Sequence, residues 1–175
     1  MIYTLTLNPA IDYTVFLDHM EPGEVNRTTK EAISWGGKGI NVSMVLNELG
    51  IRSKAMGFVA GFTGAAIEKG LTDAGIETDF VHLNKGFTRI NVKIKSHAET
   101  ELNGQGPEIP TEKLDELFDR LDGIKDGDGV ILAGSIPSYL PSDIYERILE
   151  RLKDRNIRAV VDATDDLLVN VLKYR

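Results

Sequence analysis

The 175-residue sequence contains no cysteine, which excludes disulfide frameworks, thiolate metal sites and cysteine nucleophiles. No apolar run approaches the ~20 residues that a membrane-spanning helix requires. The opening stretch Met-Ile-Tyr-Thr-Leu-Thr-Leu has no basic flank and no small-residue cleavage site, so it reads as a strand rather than a signal peptide. Histidine is scarce, and His19, His82 and His97 have no metal-ligand spacing. Basic residues are in deficit, 20 Lys and Arg against 27 Asp and Glu, for a net charge of −7. That balance argues against nucleic acid as a partner, although a few focused cations can still hold one anion. Neither a membrane nor a nucleic acid is expected as a partner, and a cytoplasmic location is. Two glycine signatures are also missing. There is no G-x-x-x-x-G-K-[ST] run, and Gly37-x-Gly39 is followed by Val42 where a dinucleotide fingerprint has Gly or Ala.

The composition, 42% apolar and 27% charged, is that of a soluble globular chain long enough for one real core. Residues 2–7 and 13–18 read as strands, with the turn signal Asn8-Pro9 between them, and 25–35 reads as extended. Val42, Val45, Leu46 and Leu49 stand at i, i+3, i+4, i+7 and predict a helix with that stripe inward, stopped by Gly50. Strands near 53–59 and 78–83 flank a helix at 63–74. Leu114, Leu117, Phe118 and Leu121, and then Tyr145, Ile148, Leu149 and Leu152, predict two more helices. Short strands at 130–133 and 158–161 and a helix at 165–173 complete the pattern. Alternating strands and helices predict a parallel sheet covered on both faces. Two stretches lack a crossover helix, 12–35 and 88–103, and are read as one small antiparallel sheet standing off an α/β body of residues 1–11, 36–87 and 104–175.

Four segments could carry chemistry. Gly36-Gly37-Lys38-Gly39-Ile40-Asn41 opens a helix, where free N–H groups and the positive dipole end suit an anionic or polyhydroxylated ligand. Spacing alone leaves this reading level with a turn that merely packs a helix closely. Asp12 lies past the first strand, where open α/β sheets bind ligands. On strand 89–95, alternation puts Arg89, Asn91, Lys93 and Lys95 on one face. Their crowded like charges would be relieved by an anion, for which Arg89 is suited. Lys95, and Lys93 as one option, fit a charge-guarded edge strand instead. Ala133-Gly134-Ser135 leaves the end of a strand and could line the same crevice. Gly127-Asp128-Gly129 reads as a turn, Trp35 as packing, and Asp162, Asp165 and Asp166 as carboxylates at a helix start.

In this order, Asn8-Pro9-Ala10-Ile11-Asp12, Gly36-Gly37-Lys38-Gly39-Ile40-Asn41-Val42, Thr88-Arg89-Ile90-Asn91-Val92-Lys93 and Leu132-Ala133-Gly134-Ser135-Ile136-Pro137 resemble the phosphofructokinase-B (ribokinase-like) family of sugar kinases. The resemblance spans essentially the whole chain. It implies the N-terminal part of a three-layer, Rossmann-like α/β fold with a β-lid. It also implies sugar contacts from Asp12, Gly37, Lys38 and Asn41, a phosphate contact from Arg89, a pocket wall at Ser135, and possible lid contacts from Arg27, Asn91 and Lys93. ATP and Mg²⁺ are implied as cosubstrate and cofactor, and a homodimer through the lid. Glu99-Thr100-Glu101-Leu102-Asn103-Gly104-Gln105-Gly106-Pro107 resembles members acting on fructose 1-phosphate, with tagatose 6-phosphate as the alternative substrate. The family's catalytic Asp stands in a Gly-Ala-Gly-Asp turn that this sequence lacks. That base, and most of the ATP and Mg²⁺ sites, are therefore expected beyond Arg175, which would make the chain an N-terminal, non-catalytic, sugar-phosphate-binding portion.

Overall fold

The computed structural model describes residues 1–174. In chain order the elements are β1 (Ile2–Thr6), β2 (Ala10–Phe16), β3 (Lys30–Gly36), α1 (Lys38–Glu48), β4 (Ser53–Ala60), α2 (Gly61–Asp73), β5 (Glu77–Leu83), β6 (Arg89–Lys95), β7 (Glu99–Asn103), α3 (Thr111–Asp122), β8 (Gly129–Ala133), α4 (Ile144–Leu152), β9 (Arg158–Asp162) and α5 (Asp165–Val171). A 3₁₀ turn at Leu172–Tyr174 follows, so the helix expected over 165–173 tightens before it ends.

The larger sheet has five parallel strands in the order β5-β4-β1-β8-β9. Alternation along β4 divides its core. Ala55 and Val59 pack with Ile40, Ile67, Leu71 and Phe80 under α1 and α2. Met56, Phe58 and Ala60 pack with Leu117, Leu132, Tyr145 and Ile148 under α3 and α4. The stripes expected on α3 and α4 are the ones that turn inward. The N–H groups of Ile51 and Ile76, each just past a helix-stopping glycine, return to the carbonyls of Leu46 and Leu71.

The stripe expected on α1 is not its inner face. Val45 is 56% and Leu49 68% exposed, and the buried residues are Gly39, Ile40 and Ser43. The cause is a close approach. A Cβ at Gly39 would stand 2.5 Å from Thr6 Oγ1 and 2.7 Å from the Leu5 carbonyl oxygen, so only a side without bulk can lie against β1. The Ser43 hydroxyl bonds to Thr4 and Ser53 hydroxyls at 2.7 and 3.0 Å, which satisfies this polar contact in the core. Cover on this face thins at β8, where Ile131 is part-buried, and leaves Val160 of β9 exposed, so the expectation of two covered faces holds only in part.

The second sheet has four strands in the order β3-β2-β6-β7. It is mixed rather than antiparallel, because β2 pairs with β6 in parallel. Both strands run outward, β2 after leaving the body at the end of β1 and β6 at the end of β5, while β3 and β7 return beside them. The register aligns Ser34, Asp12, Asn91 and Asn103 in one row, and Ala32, Thr14, Lys93 and Glu101 in another row of the same polar face. The opposite face carries Ile33, Tyr13, Val92 and Leu102 in a row. The middle of this face is open at Ile33 and Leu102, Val15 is buried further out, and the end nearest the body packs on α2. There Trp35 lies so close to α2 that a Cβ on Gly70 would fall 2.1 Å from its ring.

Candidate functional site

The carboxyl ends of β1 and β8, the start of α1 and the base of β6 surround a cleft of about 410 Å³. Its lining includes Asn8, Gly37, Lys38, Asn41, Arg89 and Ser135, in the position where open α/β sheets bind ligands. A larger groove of about 900 Å³ lies at the opposite end of the strands, beside Met1, Ile2, Gly129 and Arg158. It holds none of the candidate ligand contacts named from the sequence, only the Gly127-Asp128-Gly129 turn.

Gly37 begins α1 with φ +120°, and a Cβ there would lie 2.5 Å from the Thr6 methyl carbon. Helix α1 has no side-chain cap of its own. Instead Thr6 Oγ1 accepts the Ile40 N–H at 2.9 Å from the neighbouring strand, which satisfies one first-turn donor. Gly39 thus serves close packing, and Gly37 lines the cleft. Lys38 stands at the mouth, 3.2 Å from Asp162, and both side chains are exposed. The Asp162 carboxylate thus pairs with Lys38 beside the cleft. Gly134 is held by the buried Tyr145, whose hydroxyl donates to its carbonyl at 3.0 Å. Burial, with Asp162 nearby, raises the Tyr145 pKa well above the ordinary phenol value, so it remains a donor and fixes the loop that carries Ser135.

Arg89 is part-buried, and desolvation lowers its pKa while Asp12 acts in the other direction. The guanidinium keeps its charge. Its Nε donates to the Asn8 carbonyl at 3.2 Å and its Nη1 to the Gly104 carbonyl at 3.3 Å. Among the described residues no carboxylate lies within salt-bridge distance of it. The other cations of β6 differ. Lys93 pairs with Asp12 at 3.1 Å and Lys95 with Glu99 at 2.5 Å. The repulsion expected along the strand is thus relieved for these two by the protein's own carboxylates, and Arg89 is the β6 cation left without a carboxylate partner among the described residues. The Lys93 pKa is raised, first by its bond to Asp12.

Asp12 does not line the cleft directly. Its carboxylate lies on the polar lid face beside Gly36, where a Cβ would stand 2.8 Å from it, and Asn91 Nδ2 donates to it at 2.8 Å. Arg27 is in the exposed loop between β2 and β3, away from the cleft lining. Trp35 packs as expected, and His19, His82 and His97 are exposed. Asp128 forms a turn, accepting the Lys125 N–H and the N-terminal ammonium. Sequence reasoning misses Thr6, Thr164 and Tyr145. For Thr6 the only signal is indirect: something must fill the space that glycines 37 and 39 leave.

Residues 5–173 match the pfkB family carbohydrate kinase. The chain belongs to that family. It is 46% identical over its whole length to the 1-phosphofructokinase of Bacillus subtilis, and 37% identical over 99% of its length to the D-tagatose-1-phosphate kinase of Bacillus licheniformis. It spans 57% of the length of each of these relatives. A Staphylococcus aureus protein crystallised as a candidate phosphofructokinase superimposes with a TM-score of 0.92 at 41% identity, over 100% of this chain and 57% of that one. Escherichia coli phosphofructokinase-2, crystallised with fructose-6-phosphate, gives a TM-score of 0.90 at 24% identity, over 99% of this chain and 58% of that one, and shows the shared fold. The ribokinase-like α/β architecture expected from the motifs is therefore present.

For a pfkB kinase, ATP and Mg²⁺ must find places of their own. Among the described residues no three His, Asp or Glu converge where a cation could be held. No helix is long and apolar enough to cross a membrane.

Proposed function

We propose that this chain forms the sugar-phosphate-holding part of a cytoplasmic kinase that transfers the terminal phosphoryl of ATP to the 6-hydroxyl of fructose 1-phosphate, giving fructose 1,6-bisphosphate. The observation that carries the reading is Arg89: a guanidinium in the cleft wall, bonded only to two carbonyls, with no carboxylate partner among the described residues. It would take the phosphate already on the sugar. Asn41 and Ser135 offer hydroxyl partners, Gly37 and Lys38 lie at the helix start, and Asp12 would accept from sugar hydroxyls at the lid edge. Lys38, 3.2 Å from Asp162 and exposed, can swing to an incoming anion. Nothing in these residues takes the proton from the 6-hydroxyl. The chain by itself would therefore bind and orient the sugar phosphate, and transfer would need a base and the ATP-bearing surface from elsewhere.

The exposed row Ile33 and Leu102 on the apolar lid face supports a homodimer through the lid, with Arg27 and Lys93 as lid contacts to ligand or partner. The 37% identity to a tagatose-1-phosphate kinase favours a second substrate reading, the fructose epimer at C4. The deciding experiment is ATP-dependent turnover by the full-length gene product with fructose 1-phosphate, tagatose 1-phosphate and tagatose 6-phosphate in parallel. A kcat/KM that is higher for either tagatose ester transfers the assignment, and inertness toward all three ends it.

A further inference from the structure

The polar lid face holds a hydrogen-bonded circuit that the proposed contacts alone do not require. Asn91 is 7% exposed. Its Nδ2 donates to Asp12 Oδ1 at 2.8 Å, and its Oδ1 accepts the Gly104 N–H at 3.2 Å. The Gly104 carbonyl accepts Arg89 Nη1 at 3.3 Å, and Arg89 Nε reaches the Asn8 carbonyl at 3.2 Å. Asn8 Nδ2 then donates to the Gln105 carbonyl at 3.0 Å, closing the circuit beside Gly104. The fit is tight. A Cβ at Gly104 would meet Arg89 Cβ at 3.1 Å, and one at Gly106 would meet Asn8 Oδ1 at 2.5 Å.

We infer that Asn91 is a positioning residue that couples the acidic end of the site, Asp12, to its cationic end, Arg89, through the backbone N–H and carbonyl of Gly104. The chemistry of the position selects an amide. The side chain must donate to a carboxylate on one side and accept from a backbone N–H on the other, and of the two near-isosteres neither does both at neutral pH. A carboxylate keeps the Gly104 bond but opposes Asp12, and a leucine makes neither bond. The charged groups facing position 91 are Asp12 and Lys93, with Arg89 on the same strand face and Glu101 opposite Lys93. The coupling deepens the sugar-phosphate reading and rests on it only for its benefit to the ligand. The circuit itself is a property of the free chain.

The test therefore has two arms, with Asn91→Leu and Asn91→Asp. In the free protein, amide exchange at Gly104 and the Arg89 Nε–H resonance are followed by NMR. Asn91→Leu should speed Gly104 exchange about tenfold and shift the Arg89 signal, whereas Asn91→Asp should keep Gly104 protected. In the second arm, fructose 1-phosphate binding is measured by calorimetry from about pH 8 to about pH 5.5, each value divided by that of the unmutated chain. Asn91→Leu should bind about tenfold more weakly at every pH. Asn91→Asp should lose as much near pH 8 and recover toward pH 5.5, because two adjacent carboxyls then share one proton and restore the donor. A purely structural role would give no such recovery. An unchanged Gly104 exchange rate in Asn91→Leu, or an Asn91→Asp profile parallel to the unmutated chain, overturns the inference. If the unmutated chain ignores fructose 1-phosphate, the functional reading has failed, and the NMR arm still decides the circuit.

Discussion

Replacing Arg89 separates an anion site from a scaffold contact, and the structure sets the size of the effect. Of five guanidinium N–H donors, two are used by the carbonyls of Asn8 and Gly104. Three remain for an anion. Arg89→Ala removes them together with the β6 charge that has no carboxylate partner among the described residues, since Lys93 and Lys95 are engaged by Asp12 and Glu99. A charge-assisted bond of this kind is worth roughly 2–3 kcal/mol, so the dissociation constant for fructose 1-phosphate should rise about 30- to 150-fold. Arg89→Lys keeps the charge but loses the fork that grips the two carbonyls, and should recover only part of the loss. The assay is calorimetric titration of the chain with fructose 1-phosphate at two salt concentrations. Arg89→Ala should also flatten the salt dependence, because the main attraction for the phosphate is gone. A dissociation constant within twofold of the unmutated chain, with the fold intact by circular dichroism, would refute the role given to Arg89.

Three other perturbations test the framework behind the site. Gly39→Ala places a methyl 2.7 Å from the Leu5 carbonyl oxygen, backbone of the central strand that cannot yield, and should cost about 1–3 kcal/mol, seen as a lowered Tm; an unchanged Tm would mean α1 does not approach β1 so closely. Gly70→Ala drives a methyl into the ring of Trp35; because Trp35 is the single tryptophan of the chain, its emission should shift to the red as it leaves α2, and an unaltered spectrum would show that lid and body are not joined there. Acid should destabilise the fold in a defined sense. Glu77, Glu116 and Asp122 are held below the ordinary carboxylate range, first by their bonds from Arg52, Lys113 and Arg151 respectively. Folded-state values below the unfolded ones mean that their contribution is complete above the ordinary carboxylate pKa, about 4, and is lost as pH falls through the depressed values. Tm should fall between about pH 5 and pH 3 by a modest amount, since these pairs are exposed or only part-buried, and Asp122→Asn should flatten part of that fall; a Tm that stays level across this range would contradict the assignment.

What could be read from the sequence follows the kind of interaction that decides each feature. Where an apolar stripe packs on an apolar neighbour, as Leu114–Leu121 on α3 and Tyr145–Leu152 on α4, periodicity alone finds the inner face. On α1 it misleads: the close approach at Gly39 sets the inner face, Val45 and Leu49 stay outside, and Ser43 goes inside because Thr4 and Ser53 meet it. Alternation on β6 correctly gathers Arg89, Asn91 and Lys93 on one face, but their fates differ according to a residue 79 positions away from Asn91. Asp12 sits beside β6 only because β2 and β6 leave the body in the same direction and pair in parallel. An antiparallel lid would have put a different part of β2 opposite Lys93. The distinction between a cation that is already answered and one that is still available is therefore a property of strand order, which local pattern does not encode, and it is this distinction that singles out Arg89.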